Sequence, residues 1–331
     1  MAALPRFRPV RRFALLASLL LVACGQAAMG GEEGFVLRAE PIPLAPERPS
    51  ETRAGRLEYL AGFVLTSPDE RLSGLSAMEL SPDGSRLTAV SDFGHWLLAE
   101  LRHDATGRLA GFAGAAMVPL LGRDGRPLEG KSMADAESIA VDPQGGFLVG
   151  FEGQHRVWRY PDPMARPVPV RLPPEIAGLP ANRGIEAMTV LANGDLFLLS
   201  EGVADDNGDS MGWLRRAGAW SRIGVAHHDA YRPTGLATLP SGDVLLLERR
   251  FQILTGVRAR LSVIRAGDIA AGARIEPERL AELGPGFNVD NFEALATRSA
   301  PGGGALVYLM SDDNRNPLQR TLFLQFLLAP E

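Results

Sequence analysis

From residue 57 onward the chain repeats one arrangement of apolar and polar positions. A short apolar run is followed by a polar turn rich in Gly and then by a strongly apolar run that ends in a charged residue. The five occurrences run from Ser76 to Asp92, Glu137 to Glu152, Glu186 to Glu201, Thr234 to Arg249 and Glu293 to Asp312. Their turns read PDG, PQGG, ANG, PSG and PGGG between runs of Val, Leu, Ile and Phe, which predicts a β-hairpin in each. Met78, Ile139, Met188, Leu236 and Leu295 are equivalent and recur at roughly the 50-residue spacing of a four-stranded propeller blade. Third strands are expected at Trp96–Leu101, Arg156–Tyr160, Gly212–Arg216 and Arg260–Ile264. Fourth strands are expected at Leu109–Leu120, Pro167–Leu172, Trp220–Ala226 and Leu280–Leu283. Thr321–Leu328 suits the third strand of the last repeat, and Leu57–Leu65 precedes the first repeat without a partner. Pairing those two would close a ring and remove an open sheet edge. The fold class is therefore all-β: a β-propeller of five blades, with a sixth left open, closed by an N-terminal strand on the C-terminal blade.

The chain start carries a different signal. Arg6, Arg8, Arg11 and Arg12 precede an apolar run, Phe13–Ala23, of signal-peptide length and too short to span a membrane. Leu21-Val22-Ala23-Cys24 resembles the lipobox of bacterial lipoproteins, and Cys24 is the only cysteine in 331 residues. The expected division is a signal peptide at 1–23, lipidation at Cys24, a flexible tether at 24–56 and the propeller at 57–331. The competing reading is an ordinary signal cut near Ala27-Ala28. Gly25 lacks the acid that holds lipoproteins at the inner membrane, so the expected place is the periplasmic face of the outer membrane. Net charge is −5, Lys131 is the only lysine, and no basic stripe is interleaved with aromatics. That pattern excludes a nucleic-acid partner. A monomer acting on a small ester or an envelope ligand is expected.

In a propeller, equivalent inner-strand positions form rings around the axis. Glu137, Glu186 and Glu293 share one such position, filled by Ser76 and Thr234 in the other repeats. Asp92, Glu152, Glu201 and Asp312 share a second, where the fourth repeat has Arg249. Crowded carboxylates repel and call for a cation, a basic ligand or a guanidinium. Oxygen-rich, histidine-poor surroundings favour Ca²⁺, or Mg²⁺, over Zn²⁺. The expected ligands are Glu137, Glu186, Glu201, Glu293 and Asp312, and the expected catalytic set is Glu137, Glu186, Glu293, Arg249 and Asp92. The alternative is that these acids pair with Arg183, Arg249 and Arg315 and serve structure. Asp205–Asp209 forms another acidic cluster, without EF-hand spacing. His95 and His227-His228 are weak acid–base candidates, and Trp158, Trp213 and Trp220 sit at apolar strand positions.

Asp135-Ala-Glu137-Ser-Ile, Arg183-Gly-Ile-Glu186-Ala-Met, Leu199-Ser-Glu201, Thr234-Gly-Leu, Leu247-Glu-Arg249, Asp290-Asn-Phe-Glu293-Ala-Leu and Ser311-Asp-Asp-Asn314 together resemble the phytase-like family. Its proteins are described by an "esterase-like activity of phytase". The resemblance spans about 57–328 and departs at Ser138, Ala187 and Ala294, where several members have Gly. It implies hydrolysis of phosphate or other esters with calcium. A non-catalytic binding or scaffolding propeller is the competing class.

Overall fold

The computed structural model describes residue 1 and residues 34–330. The leader and Cys24 lie outside the described residues. The chain enters through β1 (Arg38–Pro41), β2 (Arg53–Ala54) and β3 (Leu57–Thr66). Blade 1 is β4 (Leu75–Leu80), β5 (Arg86–Ser91), β6 (His95–His103) and β7 (Leu109–Pro119). A short helix, α1 (Lys131–Ala134), leads into blade 2, which is β8 (Ala136–Val141), β9 (Phe147–Phe151), β10 (Arg156–Tyr160) and β11 (Val168–Val170). Blade 3 is β12 (Ile185–Val190), β13 (Leu196–Ala204), β14 (Ser210–Arg216) and β15 (Ala219–Val225). Blade 4 is β16 (Arg232–Thr238), β17 (Val244–Gln252) and β18 (Gly256–Ile264), with β19 (Arg274–Ile275) reaching back to β15 before β20 (Glu278–Leu283) completes the blade. Blade 5 is β21 (Asn291–Ser299), β22 (Ala305–Asp312) and β23 (Thr321–Leu328), and β3 is its fourth strand.

The expected closure is present: β3 pairs antiparallel with β23, from Leu65 opposite Thr321 to Leu57 opposite Leu328. Inner strands touch in sequence around the ring, and β21 returns to β4. The core divides into five parts, one between each pair of neighbouring blades. Strand alternation explains this, because successive side chains point to opposite faces and every blade face is covered. In β17, Leu245 and Leu247 face blade 5 while Val244 and Leu246 face blade 3. A strand buried on both faces reads as a continuous apolar run, which is why these hairpins stand out in the sequence. Trp158 and Trp213 are core residues, as expected.

The tether boundary needs correction. Residues 34–56 are built onto the propeller: β1 pairs with β3, and Leu44, Ala45 and Ala54 are buried. Leu44 joins the core between blades 4 and 5, and Asn288 ties the turn down through its Nδ2–H on Pro43 O (2.7 Å) and its backbone N–H on Leu44 O (2.7 Å). The Pro- and Glu-rich composition reflects an irregular path over the surface.

Candidate functional site

Each inner hairpin carries a register shift at the same place. The skipped residue is Ser76, Glu137, Glu186, Thr234 or Glu293, in blades 1 to 5 respectively. The first ring is therefore a ring of β-bulges. A bulge leaves one residue out of the ladder and re-aims its side chain, and here all five bulges fall at one end of the axis. The next residue is small in every blade (Ala77, Ser138, Ala187, Gly235, Ala294), where neighbouring inner strands approach closely. A Cβ at Gly235 would lie 3.0 Å from the Glu293 carbonyl oxygen, and Ser138 Oγ donates to Ile185 O across a blade boundary (2.9 Å).

The second ring follows from the same register. Asp92, Glu152 and Glu201 each donate their backbone N–H to the carbonyl two residues before the bulge, on Gly74, Asp135 and Gly184 (2.8, 2.8 and 3.2 Å). Arg249 and Asp312 stand opposite Arg232 and Asn291, the equivalent positions in blades 4 and 5. Gly74 has a φ of 66° and leaves room for Asp92, because a Cβ there would lie 1.8 Å from Asp92 Oδ1.

Both rings, Thr234 excepted, line one cavity of about 140 Å³ at the mouth of the axis. Asp92, Glu137, Glu152, Glu186, Glu201, Glu293 and Asp312 face Lys131 and Arg249, so seven carboxylates meet two cations. Arg249 Nη2 lies 3.6 Å from Glu201 and 3.4 Å from Glu293. Lys131 Nζ lies 2.6 Å from Asp92 and 3.4 Å from Asp135. Asp92 Oδ1 is buried without a hydrogen-bond partner. Burial, reinforced by the neighbouring charges of Glu186 and Glu293, holds Glu137 well above the ordinary carboxylate range. Glu186 is raised likewise, by burial and then by Glu152 and Glu201. Burial pushes Glu293 up to about 8 although Arg249 pulls it down, and pushes Asp312 up to about 6. For Lys131, burial opposes the charge, but Asp92, Asp135 and Glu137 outweigh it and keep the ammonium protonated.

Among the described residues, one group offers three ligand oxygens within 4.8 Å of one another: Asp135, Glu137 and Glu152. These three could hold a metal ion, and the surplus of carboxylates together with the unpartnered Asp92 oxygen fits a hard cation. Glu186, Glu201, Glu293 and Asp312 line the same cavity. Asp135 and Glu152 were not among the expected ligands. Asp135 sits two residues before the bulge, so its inward position is visible only once the bulge is known.

The remaining candidates fall elsewhere. The Asp205–Asp209 cluster closes a turn: Asp205 Oδ1 accepts the N–H groups of Asn207 and Asp209, and Arg274 takes both Asp209 oxygens at 2.6 and 3.1 Å. His228 pairs with Glu276, and neither it, His227 nor His95 lines the acidic cavity. Arg183 donates to Gly202 O, and Arg315 stacks on Phe93 at 3.5 Å.

The profile of the phytase-like family, described as "Esterase-like activity of phytase", matches residues 70–315. The chain belongs to the phytase-like family. No curated relative matches in sequence. Among solved structures, an endo-arabinase from Bacteroides thetaiotaomicron VPI-5482 superposes with a TM-score of 0.44 at 11% identity, covering 76% of this chain and 94% of that one. A protein of unknown function from Dyadobacter fermentans DSM 18053 gives 0.41 at 13% identity, over 90% and 92%. A streptogramin B lyase gives 0.39 at 11%, over 90% and 88%. The phytase-like match covers all five bulge positions and all five second-ring positions.

Proposed function

We propose that this phytase-like propeller is a cell-envelope hydrolase of phosphate or other esters, working at the acidic mouth with a bound divalent cation, Ca²⁺ before Mg²⁺. The observation that carries the reading is the imbalance at the mouth, where seven carboxylates face two cations around one small cavity. Uncompensated, that many buried charges would be costly. Asp135, Glu137 and Glu152 would hold the cation, with Glu186, Glu201, Glu293 and Asp312 within the same cavity. When bound, a hard cation supplies polarisation of an ester oxygen and activation of water. Arg249 and Lys131 sit where they can neutralise charge that develops on a substrate oxygen. Glu293, poised near neutrality, can hold or release a proton. The lipobox at Cys24 supports the envelope assignment.

A second reading has its own observation. Arg249 already bridges Glu201 and Glu293, and Lys131 bridges Asp92 and Asp135, as expected if the acids of a binding propeller serve structure. Calorimetry with Ca²⁺ on chelator-treated protein separates the two, paired with an ester and phosphoester screen before and after EDTA. The hydrolase reading expects stoichiometric binding, activity lost in EDTA and restored by metal, and affinity weakened at least about tenfold in Glu137→Gln. Absence of binding at millimolar metal, or equal affinity in the variant, would overturn it in favour of the binding propeller.

A further inference from the structure

The rim of the mouth is uneven. In blades 1 and 2 the turn after the second-ring residue is short, whereas β17 and β18 run on past Arg249 to a tip at residues 252–256, and residues 313–320 join β22 to β23. The three most exposed large apolar side chains of residues 34–330 are Leu254 (97%), Ile253 (91%) and Leu318 (89%), and Phe251 lies beside the first two at 63%. All four belong to these two turns, on neighbouring blades, at the end of the molecule that carries the acidic cavity. Apolar side chains so far out of the core stabilise nothing in the folded domain, and their clustering marks a surface that meets a partner.

Charge narrows the partner. Residues 249–258 contain Arg249, Arg250 and Arg258 and no carboxylate, and residues 313–320 contain Arg315 and Arg320 against Asp313. Arg249 pairs with Glu201 and Glu293, Arg258 with Glu282 and Arg320 with Asp290, so Arg250 and Arg315 are the two without a carboxylate partner. This holds in a chain whose net charge is −5. Apolar tips backed by arginines match an anionic bilayer, where the tips enter the acyl boundary and the guanidinium groups stay among the headgroups. The path of the chain agrees. Arg38 pairs with Thr66, Leu65 pairs with Thr321, and Thr321 directly follows the Leu318 turn, so β1 begins at this same end.

We propose that the turns of blades 4 and 5 dock on an anionic lipid surface through Phe251, Ile253, Leu254 and Leu318, with the mouth opening toward the bilayer. This stands whether or not the mouth is hydrolytic. The test mixes full-length protein with vesicles of zwitterionic and anionic lipid brominated in the acyl chains, and reads tryptophan fluorescence. Leu254→Trp should gain a blue-shifted, quenched component. Val141→Trp, at the opposite end of β8 from Glu137 and 47% exposed in the native residue, should not. With the reporter at Leu318→Trp, adding Ile253→Ser and Leu254→Ser should lower the quenched fraction severalfold, with the melting temperature unchanged. Raising the salt should weaken the signal. If the added fluorescence at position 254 is no more quenched than at 141, the proposal is overturned, as it would be if a protein rather than lipid were the occupant.

Discussion

The carboxylates of the mouth set the sign of the pH dependence of stability. A carboxyl whose pKa is higher in the folded than in the unfolded state keeps its proton longer when folded. The native state then binds more protons, so stability is full below the unfolded value and is lost as pH rises through the folded value. Glu293, raised to about 8 by burial, is such a group, and its side chain is only 16% exposed. Histidines 95 and 103 act in the opposite sense, because burial pushes both below the usual imidazole value, and their effect ends near pH 6.5. Asp69, held down at about 2 by hydrogen bonds from Arg71, matters only in acid. The diagnostic window is therefore pH 6.5 to 8. Within it Glu293 loses about 1.5 kcal/mol of stability, at roughly 1.4 kcal/mol per pH unit with the slope fading near its own pKa. At about 2–4 °C per kcal/mol, that is a fall of roughly 3–6 °C in melting temperature.

Glu79 and Glu248, raised by burial to about 8 and about 7, slope the same way, so the informative quantity is the difference between wild type and Glu293→Gln. Thermal melts of both proteins in chelator, at half-unit steps from pH 6.5 to 8, should show the variant with a shallower fall. Adding millimolar Ca²⁺ should flatten the wild-type curve, because a bound cation takes the place of the proton. A wild-type slope equal to that of Glu293→Gln would refute the claim that this carboxyl is forced to hold a proton in the folded state.

Three further outcomes are open to direct measurement. Deleting Leu57–Thr66 should open the ring and abolish cooperative unfolding, and Leu44→Ala should cost about 2–5 kcal/mol in a denaturant titration; a neutral Leu44→Ala would mean that residues 34–56 are a tether after all. Cys24→Ser should abolish incorporation of a fatty-acid analogue into the exported protein, and unlabelled wild type would remove the lipoprotein assignment.

The five hairpins and the closing strand were legible because their signals are local and repeated: a Gly turn between two apolar runs, five times, and one apolar strand left over at each end of the ring. The two rings were legible as equivalent positions, but not as bulges. A single skipped residue leaves no mark on composition, and the bulge position holds Ser, Glu, Glu, Thr and Glu in turn. Asp135 was missed for that reason, since its inward direction depends on the irregularity two residues later. Residues 34–56 were misjudged because the alternation of Phe35, Leu37 and Ala39 is only three positions long, and Ile42 and Leu44 follow it in a polar, Pro-rich stretch without a period.

The break in the repeat at blade 4 carries a physical consequence that the regular blades do not. Had Thr234 and Arg249 both been acids, nine carboxylates would face Lys131 alone in the same cavity. Arg249 instead sits between Glu201 and Glu293 and draws the charge of blades 3 and 5 toward itself. Asp135, Glu137 and Glu152 lie in blade 2 and the residue leading into it, where Arg156 stands near Asp135 and Lys131 is bound to Asp92 and Asp135. That ammonium is 59% exposed on its side chain, whereas Arg249 is 26% exposed, so Lys131 is the cation more easily displaced. The asymmetry therefore divides one ring of acids into a half neutralised by a half-buried guanidinium and a half that meets a more exposed ammonium, which is where the proposed cation would sit.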